Sequence, residues 1–213
     1  MAVTTELPVS ADVEIVSDEV LWRGRTALQL VKFRQRRFDG AMSGVRTWEL
    51  WRRGRAAAVL PYDPVADCVV MIEQFRLPAF AAGLDPVLLE LPAGLADGSE
   101  PSESIVRREM VEETGLSVGA LVEIGNFILT PGGADETCMI YAGCVRVPIA
   151  NGRIGIGGLA SEQEDILVRA MPAMEAIEAV FAGRIQNSVA AIGLLWLANK
   201  REWLRDVWAN QGG

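Results

Sequence analysis

The sequence predicts a mixed α/β protein that begins with an all-β layer. Three observations point there. Residues up to about 50 form runs of β-branched, aromatic and alternating residues with no helical period. From about residue 51 onward, strand-like apolar runs alternate with stretches of helical spacing. Half of the 213 residues are hydrophobic, which supports a sizeable core and argues against disorder. The expected division is residues 1–50 as the β-layer and residues 51–213 as the main domain.

In the layer, residues 13–16, 26–38 and 45–51 read as strands, with a turn at Phe38-Asp39-Gly40 where glycine tolerates positive φ. So thin a layer has little core and needs a second surface to pack on. Residues 55–62 and 67–75 form a hairpin across Asp63-Pro64, and residues 87–91 a further short strand. Ser99 is the expected N-cap of a helix, with Pro101 in its first turn. That helix runs to Thr114 and stops at Gly115. Residues 121–129 and 137–147 read as strands, the latter placing Cys138 and Cys144 on one face. A glycine-rich loop, 151–165, precedes a strand at 166–171. Two helices follow, one opened by Pro172 and ended near Gly183, the other over 188–208 with Ile192, Leu195, Trp196 and Trp203 at helical spacing, which core packing or a dimer contact explains better than a cofactor site.

Composition removes several function classes. The chain has no histidine, so Ser-His-Asp and Cys-His catalysis and imidazole metal sites are excluded. Three cysteines fall short of a four-thiolate zinc site and, without a targeting pattern at the N-terminus, read as free thiols of the cytoplasm. No apolar run reaches a membrane span, so no membrane partner is expected. The formal charge of −8 argues against nucleic acid as a partner. Residues 23–55 nevertheless carry ten Lys/Arg against two acidic residues. The plain reading is a solvated or internally paired β-layer; the sharper one is that part of this charge meets an anionic ligand.

Carboxylates and arginines are therefore left to carry any chemistry. Glu109, Glu112 and Glu113 fall within a sector of about 100° on one helix, where like charges repel. A divalent cation converts that repulsion into binding, since Mg²⁺ takes hard oxygen ligands. Gly94 marks a sharp turn before the helix, next to Ala93 and its carbonyl, and Arg108 lies one turn before Glu112 and can fix its direction. A solvated acidic face is the alternative for an isolated E-x-x-E-E. Here the full spacing GX5EX7REUXEEXGU is met from Gly94 to Leu116, a chance match on the order of once per million chains of this length.

This spacing is the Nudix box, and the chain resembles the Nudix hydrolases, which implies the Nudix α/β/α sandwich and Mg²⁺ or Mn²⁺ held by the box glutamates. Ile72-Glu73-Gln74-Phe75-Arg76, Leu89-Glu90-Leu91-Pro92-Ala93-Gly94 and Thr130-Pro131-Gly132-Gly133-Ala134-Asp135-Glu136 look like the bacterial ADP-ribose pyrophosphatase branch, in which a proline follows the box by about fifteen residues, as Pro131 follows Leu116. The loop from Gly158 to Asp165, the stretch 183–197 and residues 33–40 match as well. The resemblance implies hydrolysis of the pyrophosphate bond of ADP-ribose to AMP and ribose 5-phosphate by a homodimer whose β-layers reach across to the partner's site. Another nucleoside diphosphate sugar such as GDP-mannose is the alternative substrate, and a non-catalytic Nudix-fold ligand sensor the alternative class.

Carried over by position, Glu109 and Glu113 are metal ligands with the Ala93 carbonyl, and Glu112 is a ligand or a partner to one. Glu164 joins the metals when substrate binds, and Glu162 is the general base, with Arg108 completing the catalytic set. In an extended loop Glu162 and Glu164 would point the same way. Arg76 is the expected phosphate or ribose contact, Glu90 and Glu136 weaker substrate contacts. In the β-layer the relatives carry an aromatic and an arginine that sandwich the base; this chain has Arg25 and Trp48 at about those places, with Glu49 beside the second.

Overall fold

The structure is a computed structural model and describes residues 3–209. The chain forms two compact units: the first takes the described residues through Arg55 with Asp97–Ser99 and Ile128–Thr137, the second Ala56–Ala96, Glu100–Phe127 and the described residues from Cys138 onward.

In the first unit, β1 (Val13–Arg23), β2 (Ala27–Gln35) and β3 (Arg46–Arg52) form an antiparallel sheet in that order. Gly40 takes φ +85 in the expected turn, where the Asp39 carboxylate accepts the Ala41 N–H. The hydrophobic core is thin, as the strand pattern implied: Ala27 and Val31 are buried, while Val13, Ile15, Val16, Val20, Leu21 and Trp22 of β1 are exposed. Polar bonding supplements it. Buried Arg52 donates to Asp135 Oδ2 at 2.6 Å and to Gln29 Oε1 at 2.7 Å, and Gln29 Nε2 donates to Asp18 at 2.6 Å. Asp135 also accepts the Arg53 N–H at 2.7 Å, which fastens residues 128–137 to the end of β3. Several of the arginines are paired within the unit: Arg34 with Glu14, Arg36 with Asp12, Arg37 with Asp39 and Arg53 with Glu136. The first three pairs are exposed and stabilise little.

Apart from the strand-end residues Arg55, Ile128 and Thr137, the second unit contains β4 (Arg55–Asp63), β5 (Cys68–Phe75), α1 (Leu77–Ala81), β6 (Val87–Glu90), β7 (Ala93–Leu95), α2 (Ser102–Thr114), β8 (Leu121–Ile128), β9 (Thr137–Cys144), β10 (Gly152–Gly157), β11 (Ile166–Pro172), α3 (Ala173–Phe181) and α4 (Ser188–Ala209). The sheet order is β10-β11-β5-β4-β9-β8, with β6 on β5 and β7 on β4. Strand alternation sends side chains to two faces. Ala57, Val59, Val70, Ile72, Ile166 and Val168 pack with Ile105, Val106 and Met110 of α2. Leu60 and Leu91 instead meet α4 at Gly193. Helices therefore cover both sides of the sheet, the α/β/α arrangement expected.

Several local expectations need correction. Ser99 does not cap α2. Pro101 occupies the cap position and its carbonyl accepts the Ser104 and Ile105 N–H groups. A residue before proline is pushed off the helical region, so the helix starts only after Pro101. Gly115 does end it, at φ +71. The glycine-rich loop contains a strand, β10, paired to β11. The buried stripe of α4 is Ala190, Leu194, Leu197, Leu204 and Trp208, whereas Leu195 and Trp203 are exposed. Ile192 and Trp196 are only half-buried. Both stripes have helical period, and the adjoining apolar residues disguised which one faces the sheet.

Candidate active site

Helix α2 and the strand before it bring the box residues together. Glu113 is 3% exposed, and its Oε2 accepts the Ala93 N–H at 2.9 Å, so the residue expected to lend a carbonyl sits against this carboxylate through its amide. Gly94 is glycine for a steric reason: a Cβ there would fall 1.7 Å from Glu109 Oε1. Arg108 Nη1 donates to Glu109 Oε1 at 2.7 Å and to Glu112 Oε2 at 3.0 Å, and its Nη2 pairs with Glu100 at 3.4 Å. Burial works against the charge of Arg108, yet hydrogen bonds to Glu100, Glu112 and Glu109 and the charge of Glu109 hold its pKa above the ordinary value.

Two further elements join this centre. Arg76, at the end of β5, grips Glu90 of β6 with two nitrogens, at 2.7 Å from Nη2 and 3.1 Å from Nε. Glu164, in the loop after β10, has its Oε2 on the Leu159 N–H at 3.0 Å. Glu162 ends a 3-10 turn, Ala160–Glu162, and is exposed; Gln163 follows at φ +57. The segment is thus not extended, and the expectation that Glu162 and Glu164 point the same way fails: a turn followed by a left-handed residue breaks the two-residue alternation.

The electrostatics of the cluster are those of crowded carboxylates. The Glu113 carboxyl is pushed up to about 8, first by burial and then by Glu109 and Glu164, with the Ala93 N–H and Arg76 opposing. Burial likewise raises Glu109, aided by Glu112 and Glu164 and opposed by Arg108. Among the described residues no three acidic or thiol side chains stand as a closed ligand set. Glu109 and Glu112 are turned to Arg108, and Glu164 to a backbone amide. The donor set nevertheless suits a hard divalent cation: it consists of carboxylate oxygens that repel one another, one of them buried and holding a proton for lack of a stronger counter-charge.

A pH signature follows. A carboxyl whose pKa is raised by folding binds its proton more tightly in the folded state. Its stabilising contribution is full below the ordinary glutamate pKa of about 4.3 and is lost as pH rises through about 8. In metal-free protein the melting temperature is expected to fall across this window more steeply for wild type than for Glu113→Gln. Parallel curves would mean that folding does not raise the Glu113 carboxyl.

In the first unit, Trp48 meets Phe33 edge-on, with centroids 6.5 Å apart. The Arg46 guanidinium lies 5.2 Å from the Trp48 ring and 5.6 Å from Phe33. Together with Ile15, Val31, Gln35 and Leu50 they line a concavity of about 290 Å³. Within the chain it is therefore Arg46, not Arg25, that accompanies Trp48; Arg25 stands in the turn between β1 and β2. Strand alternation gives this away, since Arg46, Trp48 and Leu50 share one face of β3. The same alternation turns Glu49 to the opposite face from Trp48. Glu136 is held in a two-point pair by Arg53, at 2.8 and 3.0 Å.

Known proteins resemble this chain over most of its length. No family model matches the chain. An ADP-ribose pyrophosphatase of Escherichia coli strain K12 is 41% identical over 198 residues, covering 93% of each chain. A GDP-mannose pyrophosphatase of Enterobacter sp. strain 638 is 32% identical over 190 residues, covering 89% of this chain and 96% of that one. A crystal structure of an ADP compounds hydrolase superposes with a TM-score of 0.65 at 18% identity, over 94% of this chain and 98% of the other, a likeness of fold. Fold and glutamate helix thus define a hydrolase of the Nudix type. The chain belongs to the ADP-ribose pyrophosphatase family.

Proposed function

We propose that this enzyme hydrolyses the pyrophosphate bond of ADP-ribose, adding one water and releasing AMP and ribose 5-phosphate. The observation that carries the reading is the intact box, with buried Glu113 among Glu109 and Glu164, in a chain 41% identical to an ADP-ribose pyrophosphatase. Mg²⁺ is the proposed cofactor, with Mn²⁺ as substitute, held by Glu109, Glu113, Glu164 and the Ala93 carbonyl and with Glu112 as a ligand or a partner to one. When bound it supplies Lewis acidity and neutralises pyrophosphate charge. Arg108 keeps Glu109 and Glu112 oriented. Arg76, now bonded to Glu90, offers its guanidinium to a phosphate oxygen by charge-assisted bonds. Glu162, exposed on its turn, takes the proton of the attacking water. Trp48 offers an aromatic face to the base, while Glu49 and Glu136 are proposed contacts to sugar hydroxyls.

The GDP-mannose pyrophosphatase at 32% identity supports a second reading, in which a GDP-sugar is the substrate. A panel of ADP-ribose, GDP-mannose and related nucleoside diphosphate sugars, assayed with Mg²⁺ and with products identified, decides between them. ADP-ribose is expected to have the highest kcat/KM, with AMP and ribose 5-phosphate as products. A higher value for GDP-mannose would overturn the first reading.

The free thiols Cys68 and Cys144 support a reducing, cytoplasmic location; no described helix is long and apolar enough to cross a membrane. The exposed apolar residues of β1, with Trp48 and Trp51 of β3, support a homodimer that covers them. Light scattering on the full chain is expected to give twice the 23.1 kDa monomer mass; a fully active monomer would remove the dimer.

A further inference from the structure

The loop that carries Glu162 and Glu164 does not hang freely beside the glutamate helix. Its first residue is fastened to the last turn of α2, where backbone carbonyls lack partners inside the helix. The Gly158 N–H donates to the Glu112 carbonyl at 2.9 Å. One residue earlier the backbones approach so closely that a Cβ on Gly157 would fall 1.8 Å from the Glu113 carbonyl oxygen. Gly158 takes φ +94, and a Cβ there would fall 2.7 Å from the Glu164 Cβ. The far end of the loop is equally fixed, because Gly157 pairs with Ile166, which is buried in the cluster around α2. Between these anchors the loop is clipped to itself, with Glu164 Oε2 on the Leu159 N–H and the Glu162 N–H on the Leu159 carbonyl at 3.0 Å.

We propose that Gly157 and Gly158 are positioning residues: they form a backbone clasp that registers the Leu159–Asp165 loop against Glu112 and Glu113, and so sets where the loop carboxylates stand relative to the helix carboxylates. The clasp needs glycine at both places, at Gly157 for close approach and at Gly158 for positive φ as well. Gly155 on the same strand is different, since a Cβ there meets nothing within 4 Å. This inference rests on the proposed catalytic role of Glu162 and Glu164, and its test separates the two.

In Gly157→Ala the backbones must part by an ångström or more. A displacement of that size costs up to about a hundredfold in rate. The expected result is a kcat lowered roughly tenfold to a hundredfold with KM changed by less than about threefold, alongside wild-type values for Gly155→Ala. Independently of activity, hydrogen exchange in the metal-free protein should find the Gly158 amide protected in wild type and in Gly155→Ala, and unprotected in Gly157→Ala. If Gly157→Ala does not fold, a single glycine inserted after Gly158 serves instead: it leaves the clasp intact, shifts the loop register and should still lower kcat. A folded Gly157→Ala enzyme with wild-type kcat, or an insertion variant with wild-type kcat, overturns the positioning role. Glu162→Gln and Glu164→Gln are run alongside. If both are silent, the catalytic reading of the loop is what fails; if they are damaging while Gly157→Ala is not, only the clasp fails.

Discussion

Glu113→Gln is expected to lower kcat by about a hundredfold or more while leaving the fold intact. The change keeps the shape of the side chain and an oxygen for the Ala93 N–H, but removes the negative charge at the most buried point of the cluster. Without metal, folded Glu113 must hold at neutral pH a proton that an unfolded glutamate has already released; the neutral amide is spared that cost, so the melting temperature at neutral pH should hold or rise. The same loss removes a hard anionic ligand, and the Mg²⁺ concentration needed for half-maximal rate should increase. Near-normal turnover with an unchanged metal requirement would take the helix out of the mechanism.

Glu162→Gln and Glu164→Gln are expected to fail in different ways. An amide accepts no proton from water, so Glu162→Gln should lower kcat by about 10²- to 10⁴-fold with metal and substrate affinity nearly unchanged. Glu164 stands electrostatically next to Glu109 and Glu113, and its substitution should weaken apparent Mg²⁺ affinity as well as rate, with added metal restoring part of the activity. Rescue of Glu162→Gln by metal, together with metal-insensitive loss in Glu164→Gln, would mean that the roles are exchanged. The turn at Ala160–Glu162 gives the difference a structural basis, since it presents Glu162 to solvent while Glu164 faces inward.

Much of this was legible in the sequence because it depends on short-range periodicity. Helix α2 closes within one box, its glutamates are three and four residues apart, and Gly115 ends it through its own backbone freedom. The three strands of the first unit follow from β-branched alternation, and the succession of strands and helices in the second unit from apolar runs interleaved with amphipathic stretches, whereas the sandwich itself was implied by the resemblance to the Nudix hydrolases. None of these depends on what lies far away along the chain.

The remainder was decided by tertiary contacts. The face of α4 that is buried depends on which stripe meets Leu60 and Leu91, since two adjoining stripes have the same period. The partner of Trp48 is Arg46 because strand register places them on one face, whereas turn and loop residues such as Arg25 follow no period. The rise of the Glu113 carboxyl to about 8 is not a property of a glutamate on a helix. It arises when α2 is buried against the sheet and the loop after β10 brings Glu164 close, for desolvation and like-charge repulsion exist only once distant segments meet.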